Sequence, residues 1–209
     1  FEMMRYIYEN DLLGKDLLAK SIHKFYMNQS GPNAVRNRRY FIYEKIKNFY
    51  LKKNQKISVL SVACGPAEEV ALILENDTDF TENTIQIDLL DQDIRSLQYA
   101  RRNIKTATKR VNKNITLNFL NVGIKNVIQE GLENKYDLIY SAGLFDYFND
   151  QIAIYTAKQL FNSLNPGGML LIGNFQEDPI DRFQLEFIGD WYLQYRNVDD
   201  LEKLYKNIS

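Results

Sequence analysis

From Ile57 to about Phe175 the sequence alternates apolar, strand-like runs with amphipathic, helix-like ones, and nothing else in the chain constrains the fold as strongly. The runs "ISVLSV", "TIQIDLLD", "ITLNFLNV", "YDLIYSA" and "MLLIGNF" read as strands. Between them lie helical patterns from Glu68 and from Ile94, a short one near Ile124 to Gln129, and "IAIYTAKQLFNSL". The first strand, Ile57 to Val62, is mostly β-branched and apolar, as in a parallel strand covered on both faces. Parallel neighbours need a crossover of about a dozen residues or more, which the helical patterns supply. The expectation is an α/β fold built on a doubly wound, mainly parallel sheet.

Two further helices are expected ahead of that sheet. Leu12, Leu13, Leu17, Leu18, Ile22, Phe25 and Tyr26 recur at helical spacing and predict an amphipathic helix over Asp11 to Tyr26. The segment "NQSGPN", Asn28 to Asn33, carries turn chemistry and ends it. A second helix is expected from about Ala34 to Leu51, with Val35, Phe41, Ile42, Ile46, Phe49 and Tyr50 inward and Arg36, Arg39 and Lys47 largely outside. The chain then divides into a helical extension over residues 1–54 and an α/β domain over residues 55–209, which is enough chain for one sizeable core.

Composition narrows the function classes. Lys+Arg of 26 against Asp+Glu of 27 leaves a net charge of -1, so no overall field favours nucleic acid or an anionic membrane. One cysteine, Cys64, and one histidine, His23, argue against an internal disulfide and against a Cys or His metal cage, so no metal is expected. No apolar run approaches the roughly 20 residues of a membrane span and no signal-peptide pattern opens the chain, which makes the cytoplasm the expected compartment.

In doubly wound sheets, ligands bind outside the carboxyl ends of the strands where the strand order reverses, so the strand ends carry the chemistry. After the first strand the side chains shrink to Ala63, Cys64, Gly65, Pro66 and Ala67, a turn that lets backbone approach a ligand or simply turns tightly. The second strand ends in "DLLDQD". Asp93 suits a helix cap, Asp88 inside the strand suits a structural or solvent-facing role, and Asp91 at the last strand residue is the functional candidate. The third strand ends at Asn121 and Val122, the fourth at "SAGLFDYF". A dinucleotide site would require G-x-G-x-x-G after the first strand, and "ACGPAE" lacks it, which argues against NAD.

Taken in order, "VLSVACGPA", "LLDQDIRSLQYAR", "YDLIYSAGLFDYF" and "LNPGGMLLIG" resemble the class I S-adenosylmethionine-dependent methyltransferases over roughly Ile57 to Phe175. The first motif is degenerate: Ser61 stands in the acidic place, and Ala63 and Ala67 replace glycines. Asp91, with Ala100 following inside a helix, matches the family's ribose-binding strand end, and "NPGG", Asn165 to Gly168, fits the turn before its fifth strand. The resemblance implies a Rossmann-like methyltransferase fold and S-adenosyl-L-methionine as cofactor. By position, Ala63, Cys64 and Gly65 would pass along its methionine moiety and Asp91, with Gln92 beside it, would hold the ribose. Asn121 and Val122 would lie beside the adenine, and Ser141, Ala142 and Gly143 would line the sulfonium end. Cys64 reads as a small buried filler and not a nucleophile.

Asp146 and Tyr147 are the candidates for orienting an acceptor or acting as a base, although Tyr147 reads equally well as a packing residue. His23, alone on a leucine-rich helix, reads as scaffold. Tyr26, Arg36, Arg38, Arg39 and Tyr40 lie where small-molecule methyltransferases often carry a lid, and these arginines either pair with an acceptor carboxylate or phosphate or form a solvated basic face. A narrower resemblance, carried by "AVRNRRYF", "VLSVACGPAEE" and "DWYLQYRNVDDLEKL", is to proteins of the 3-hydroxy fatty acid methyl ester biosynthesis type. It implies a carboxylate acceptor, which is ionised at neutral pH and needs no general base.

The family's closing β-hairpin is expected to be either missing or truncated, because "NVDDLEKLYKNI" reads as a helix capped by Asn197 and the sequence stops at Ser209. Either way a sheet edge is left to be covered by a partner or by the removed residues. Two function classes therefore stay open: a methyltransferase acting on a small-molecule methyl acceptor, and a non-catalytic protein of the same fold serving as a regulatory or assembly module. Methylation of RNA is disfavoured by the neutral charge, and self-association into a homo-oligomer stays open.

Overall fold

The structure is a computed structural model that describes residues 2–53, 55–108, 112–176, 182–206 and 208. Asn54 at the expected domain boundary, and Asn207 and Ser209 in the expected final helix and tail, lie outside the described residues. Five strands, β1 (Ile57–Val62), β2 (Ile85–Asp91), β3 (Ile115–Asn121), β4 (Tyr136–Ser141) and β5 (Leu164–Ile172), form one sheet of order β3-β2-β1-β4-β5. Every neighbouring pair is parallel. The chain winds outward from β1 to β3, returns to the other side of β1 with β4, and ends at β5, so the switch point lies between β1 and β4. This is the expected Rossmann-like α/β arrangement.

Side-chain alternation along the strands divides the core in two. Ile57 and Val59 of β1, and Ile85, Ile87 and Leu89 of β2, face Ile42, Ile46 and Phe49 of α3 (Ser30–Lys52), Val70 and Ile73 of α4 (Glu68–Glu75), and Leu97 and Ala100 of α5 (Ile94–Ala107). Leu60, Val62 and Leu90 face Val127 of α6 (Ile124–Glu130) and Ala153, Ala157 and Leu160 of α7 (Asp150–Asn162). Asp88, between Ile87 and Leu89, points to this second side. It is buried, and its carboxylate accepts from Tyr136 Oη at 2.8 Å, Asn118 Nδ2 at 2.8 Å and Gln86 Nε2 at 3.1 Å. Of its two readings the structural one holds and the solvent-facing one does not.

The helices ahead of β1 differ from the sequence reading in several ways. A helix α1 (Glu2–Glu9) opens the chain, and α2 covers only Leu17–Met27. Asp16 fixes the start of α2, its Oδ1 accepting from Ala19 N–H at 2.8 Å, so Leu12 and Leu13 belong to the connection before it. At about 100° per residue, Leu17, Leu18, Ile22 and Phe25 share one side of α2, Tyr26 stands at its border about 40° beyond Ile22, and Met27 lies on the opposite side. The core took the second side: Tyr26 and Met27 are buried with Ile7, Val35 and Leu185, and Leu17 is 82% exposed. Lastly, α3 begins at Ser30, inside the segment read as a turn. Pro32 falls in the first helical turn, where no intrahelical N–H bond is lost.

Arg36 is half-buried and not largely outside, donating to Ile7 O, Met27 O and Asn33 Oδ1, and Phe41, expected inward, is exposed. The strand β5 starts at Leu164, earlier than expected, and takes up "NPGG" as an irregularity between the pairs Tyr136 with Leu164 and Leu138 with Met169. Beyond it a π-helical turn over Gln184–Ile188 and the helix α8 (Val198–Tyr205) follow, the latter opened by Asn197 and Asp200 in a capping box.

Candidate functional site

The turn after β1 is built on three left-handed residues, Ala63 (φ 54), Gly65 (φ 55) and Ala67 (φ 52). Glycine adopts this region freely and alanine does so at a cost of about 1–2 kcal/mol, which accounts for the small side chains and for the glycines that the resembling family places at Ala63 and Ala67. Asp91 holds the turn in place. Its Oδ2 accepts from Gly65 N–H at 2.9 Å and its Oδ1 from Asp93 N–H at 2.9 Å, so one carboxylate joins the β1 turn to the entry of α5. Asp93 caps α5 through Arg95 N–H at 2.9 Å, as its position suggested. Each Asp91 oxygen retains a second acceptor direction.

These strand ends enclose a cavity of about 500 Å³, within the span of roughly 300–1,000 Å³ usual for small-molecule sites. Ala63, Cys64, Gly65, Asp91 and Gln92 line one end; Ala142, Gly143, Asp146 and Tyr147 line the other. Burial pushes the Cys64 thiol up, with the Asp91 and Glu69 charges adding to it, so no thiolate is available there. Ser141 is buried at the tip of β4 outside the lining. Asn121 turns its amide to Asp91 O and Gln92 O, and neither it nor Val122 lines the cavity; Ile124 does.

Around Asp146 the cavity wall is tied to distant chain. Its Oδ1 accepts from Phe175 N–H at 2.7 Å and its backbone carbonyl from Gln194 N–H at 2.7 Å. Tyr147 Oη accepts from Trp191 Nε1 at 2.8 Å, and Trp191 packs edge-on against Phe175 at 5.9 Å. The pair closes the rim. Burial pushes the Asp146 carboxyl up to about 7, opposed by the Phe175 N–H and by the Arg38 and Arg196 charges. Burial likewise raises Glu68 to about 7 and raises Glu69, which accepts from Tyr140 Oη at 2.8 Å.

Carboxyls raised on folding stabilise the native state below their unfolded pKa of about 4 and lose that contribution as pH rises through their folded values. The melting temperature is therefore expected to fall between about pH 4 and pH 7 and then level off. Asp146→Asn should flatten part of that slope in thermal scans across this range; a variant with the parent's slope would show that Asp146 is ionised throughout.

Several lining residues were not singled out from sequence: Met4 and Tyr8 of α1, Glu69 of α4, and Trp191. Met4 and Tyr8 stand one helical turn apart in "EMMRYIYE", a spacing that was there to be read. Nothing local marks Trp191, which reaches the rim from the segment after the π-helical turn. Of the basic and aromatic residues expected as a lid, Arg38 lines the cavity, whereas Tyr26, Arg36, Arg39 and Tyr40 do not. Among the described residues no group of three His, Cys, Asp or Glu side chains could hold a metal ion, and no helix is long and apolar enough to cross a membrane.

A family model described as "Putative methyltransferase" matches residues 2–199. Malonyl-[acyl-carrier protein] O-methyltransferase 1 of Ilyobacter polytropus is 26% identical over 132 residues, covering 63% of this chain and 43% of that protein, so the match spans less than half of this curated relative. Among solved structures, magnesium protoporphyrin IX methyltransferase from Synechocystis PCC 6803 with bound SAH gives a TM-score of 0.63 at 12% identity, over 98% of this chain and 80% of that one. The cyclopropane synthase from Mycobacterium tuberculosis gives 0.58 at 12% identity, over 81% and 60%. At such identities the likeness is one of fold.

Proposed function

Because the chain belongs to the "Putative methyltransferase" family, we propose that it binds S-adenosyl-L-methionine across the tips of β2, β1 and β4 and methylates a small molecule, specifically the carboxylate of a hydroxy fatty acid. The observation that carries the reading is Asp91: a buried carboxylate at the tip of β2, lining the cavity, with an acceptor direction left on each oxygen for a ribose hydroxyl. Ala63, Cys64 and Gly65 offer close backbone on β1, and nothing stands within 4 Å of where a Gly65 side chain would be. At the adenine end Ile124 lines the cavity and Asn121 and Val122 at the tip of β3 do not, and at the sulfonium end Ala142 and Gly143 of the β4 tip line it while Ser141 lies outside the lining.

The bound cofactor supplies a methyl group already activated on sulfur, open to direct displacement. The chain's own task is then to position the acceptor and exclude water. An acceptor that is already ionised needs no proton removed, so Asp146, whose Oδ1 accepts from Phe175 N–H, and Tyr147, whose Oη accepts from Trp191, serve to orient it. The curated relative is by name an O-methyltransferase, which accords with an oxygen acceptor. Met4, Tyr8 and Arg38 line the cavity from the helices of residues 1–54, which supports a lid role for that extension.

Calorimetry with S-adenosylhomocysteine and with NAD tests the cofactor. Binding of the first and none of the second is expected; heat from NAD alone would overturn the assignment. Incubation of the protein and labelled S-adenosylmethionine with 3-hydroxydecanoate should then yield the methyl ester. Tight cofactor binding without turnover on any acid would favour the non-catalytic module.

A further inference from the structure

Three arginines fall within four residues of α3, and two are consumed by the fold. Arg36 is taken up by Ile7 O, Met27 O and Asn33 Oδ1, while Arg39 meets Glu68 at 3.5 Å and Tyr40 Oη at 2.9 Å. Arg38 differs. It reaches over the tip of β4, where Nη1 donates to Ala142 O at 2.9 Å, Nε to Tyr8 Oη at 3.3 Å and, among the described residues, Nη2 only to the Met4 thioether at 3.4 Å. A thioether is a weak acceptor, and a guanidinium offers five N–H groups. Among the described residues Arg38 makes no ion pair within 4.0 Å, although it lines the cavity.

Resting on the methyl-donor reading above, we propose that Arg38 is the receptor for a carboxylate in this cavity, borne either by the amino-acid end of the cofactor or by the methyl acceptor. The guanidinium fork matches a carboxylate in two parallel hydrogen bonds, and an incoming oxygen replaces only sulfur at Nη2. Gly143 makes the room: a Cβ there would lie 2.8 Å from Arg38 Nη1 and 3.4 Å from Asp146 Oδ2. The two carboxyls nearest in charge, Glu69 and Asp146, are engaged by Tyr140 Oη and Phe175 N–H, and burial holds both above the usual carboxylate range.

The test is calorimetry on the parent, Arg38→Gln and Gly143→Ala, each checked for folding by circular dichroism and melting temperature. The probes are S-adenosylhomocysteine, 5′-methylthioadenosine, which keeps the adenosyl thioether but lacks the amino-acid end, and 3-hydroxydecanoate added to protein saturated with S-adenosylhomocysteine. If the cofactor brings the carboxylate, Arg38→Gln loses about ten-fold to a hundred-fold for S-adenosylhomocysteine and keeps its affinity for 5′-methylthioadenosine. If the acceptor brings it, both adenosyl affinities hold and the hydroxy acid is lost. Gly143→Ala, which keeps the charge but displaces it, should follow the same pattern. Equal loss of both adenosyl compounds would show Arg38 merely propping the β4 tip and would overturn the proposal, as would no change with any probe. A parent that binds neither adenosyl compound would instead refute the cofactor reading, leaving Arg38 to be judged by 3-hydroxydecanoate alone.

Discussion

Asp91→Ala is expected to weaken S-adenosylhomocysteine binding by about ten-fold to several hundred-fold, since hydrogen bonds to a charged group contribute roughly 1.5–3 kcal/mol each and about 1.4 kcal/mol is a factor of ten. Two losses combine. The ribose loses its acceptor, and the β1 turn loses the bond from Gly65 N–H that fixes a left-handed run of residues. Asp88, three positions earlier, faces the other side of the sheet, so Asp88→Ala should leave cofactor affinity within a few fold. Its cost falls on stability instead. Tyr136 Oη and Asn118 Nδ2 lose their buried acceptor, at about 1–3 kcal/mol for each group left unpaired. Titration and urea unfolding of both variants separate the two roles; an Asp91→Ala protein that binds like the parent would refute the ribose assignment.

Arg196→Ala should lower stability by about 2–5 kcal/mol, because Phe145 O, Phe148 O and Asn174 Oδ1 lose their donor at about 1–3 kcal/mol for each buried group left unpaired, while Asp150, 71% exposed, returns to water. Arg196 is 4% exposed and joins three parts of the chain. Nη1 donates to Phe145 O at 3.0 Å and Asn174 Oδ1 at 2.8 Å, Nη2 to Phe148 O at 2.6 Å, and Nε and Nη2 to Asp150 Oδ1 at 3.1 and 2.9 Å. Its own N–H donates to Phe175 O at 3.0 Å. The segment carrying Trp191 is thus fastened to the loop that carries Asp146 and Tyr147, and its release should widen the cavity as well as destabilise the fold. Arg196→Lys should recover little, because a point charge lacks the fork that serves these acceptors together. Unfolding midpoints equal to the parent's would show that the segment is not anchored here.

The strands, and the different placements of Asp88, Asp91 and Asp93, were legible because each depends on local pattern. Period-two alternation separates Asp88 from Asp91, and a carboxylate just before a helix reads as the cap that Asp93 is. The face of α2 was not legible, since Leu17 and Phe25 are more apolar than the Tyr26 side that the core selected; what decided was Leu185 and Ile7 arriving from elsewhere in the chain. The same limit hid the division of labour among Arg36, Arg38 and Arg39. Side by side on one helix they look alike, and only the positions of α1, α4 and β4 tell which is spent on structure. Trp191 and the Arg196 junction depend on contacts across the whole chain, for which short-range spacing holds no signal.

The position of β1 in the middle of an all-parallel sheet has a kinetic corollary. One flank of β1 is β2, which follows it closely, but the other is β4: Ser58 N–H donates to Asp137 Oδ2 across a separation of 79 residues. Closing so long a loop delays the reward of pairing, so folding should be slow for a chain of this size. On the ribosome, β1 to β3 with their helices would form a half-sheet with the β4 edge of β1 bare until β4 emerges. During that interval the outward leucines of α2 and the bare edge together make the nascent chain prone to association, and expression at low temperature or with chaperones should raise the yield of folded protein.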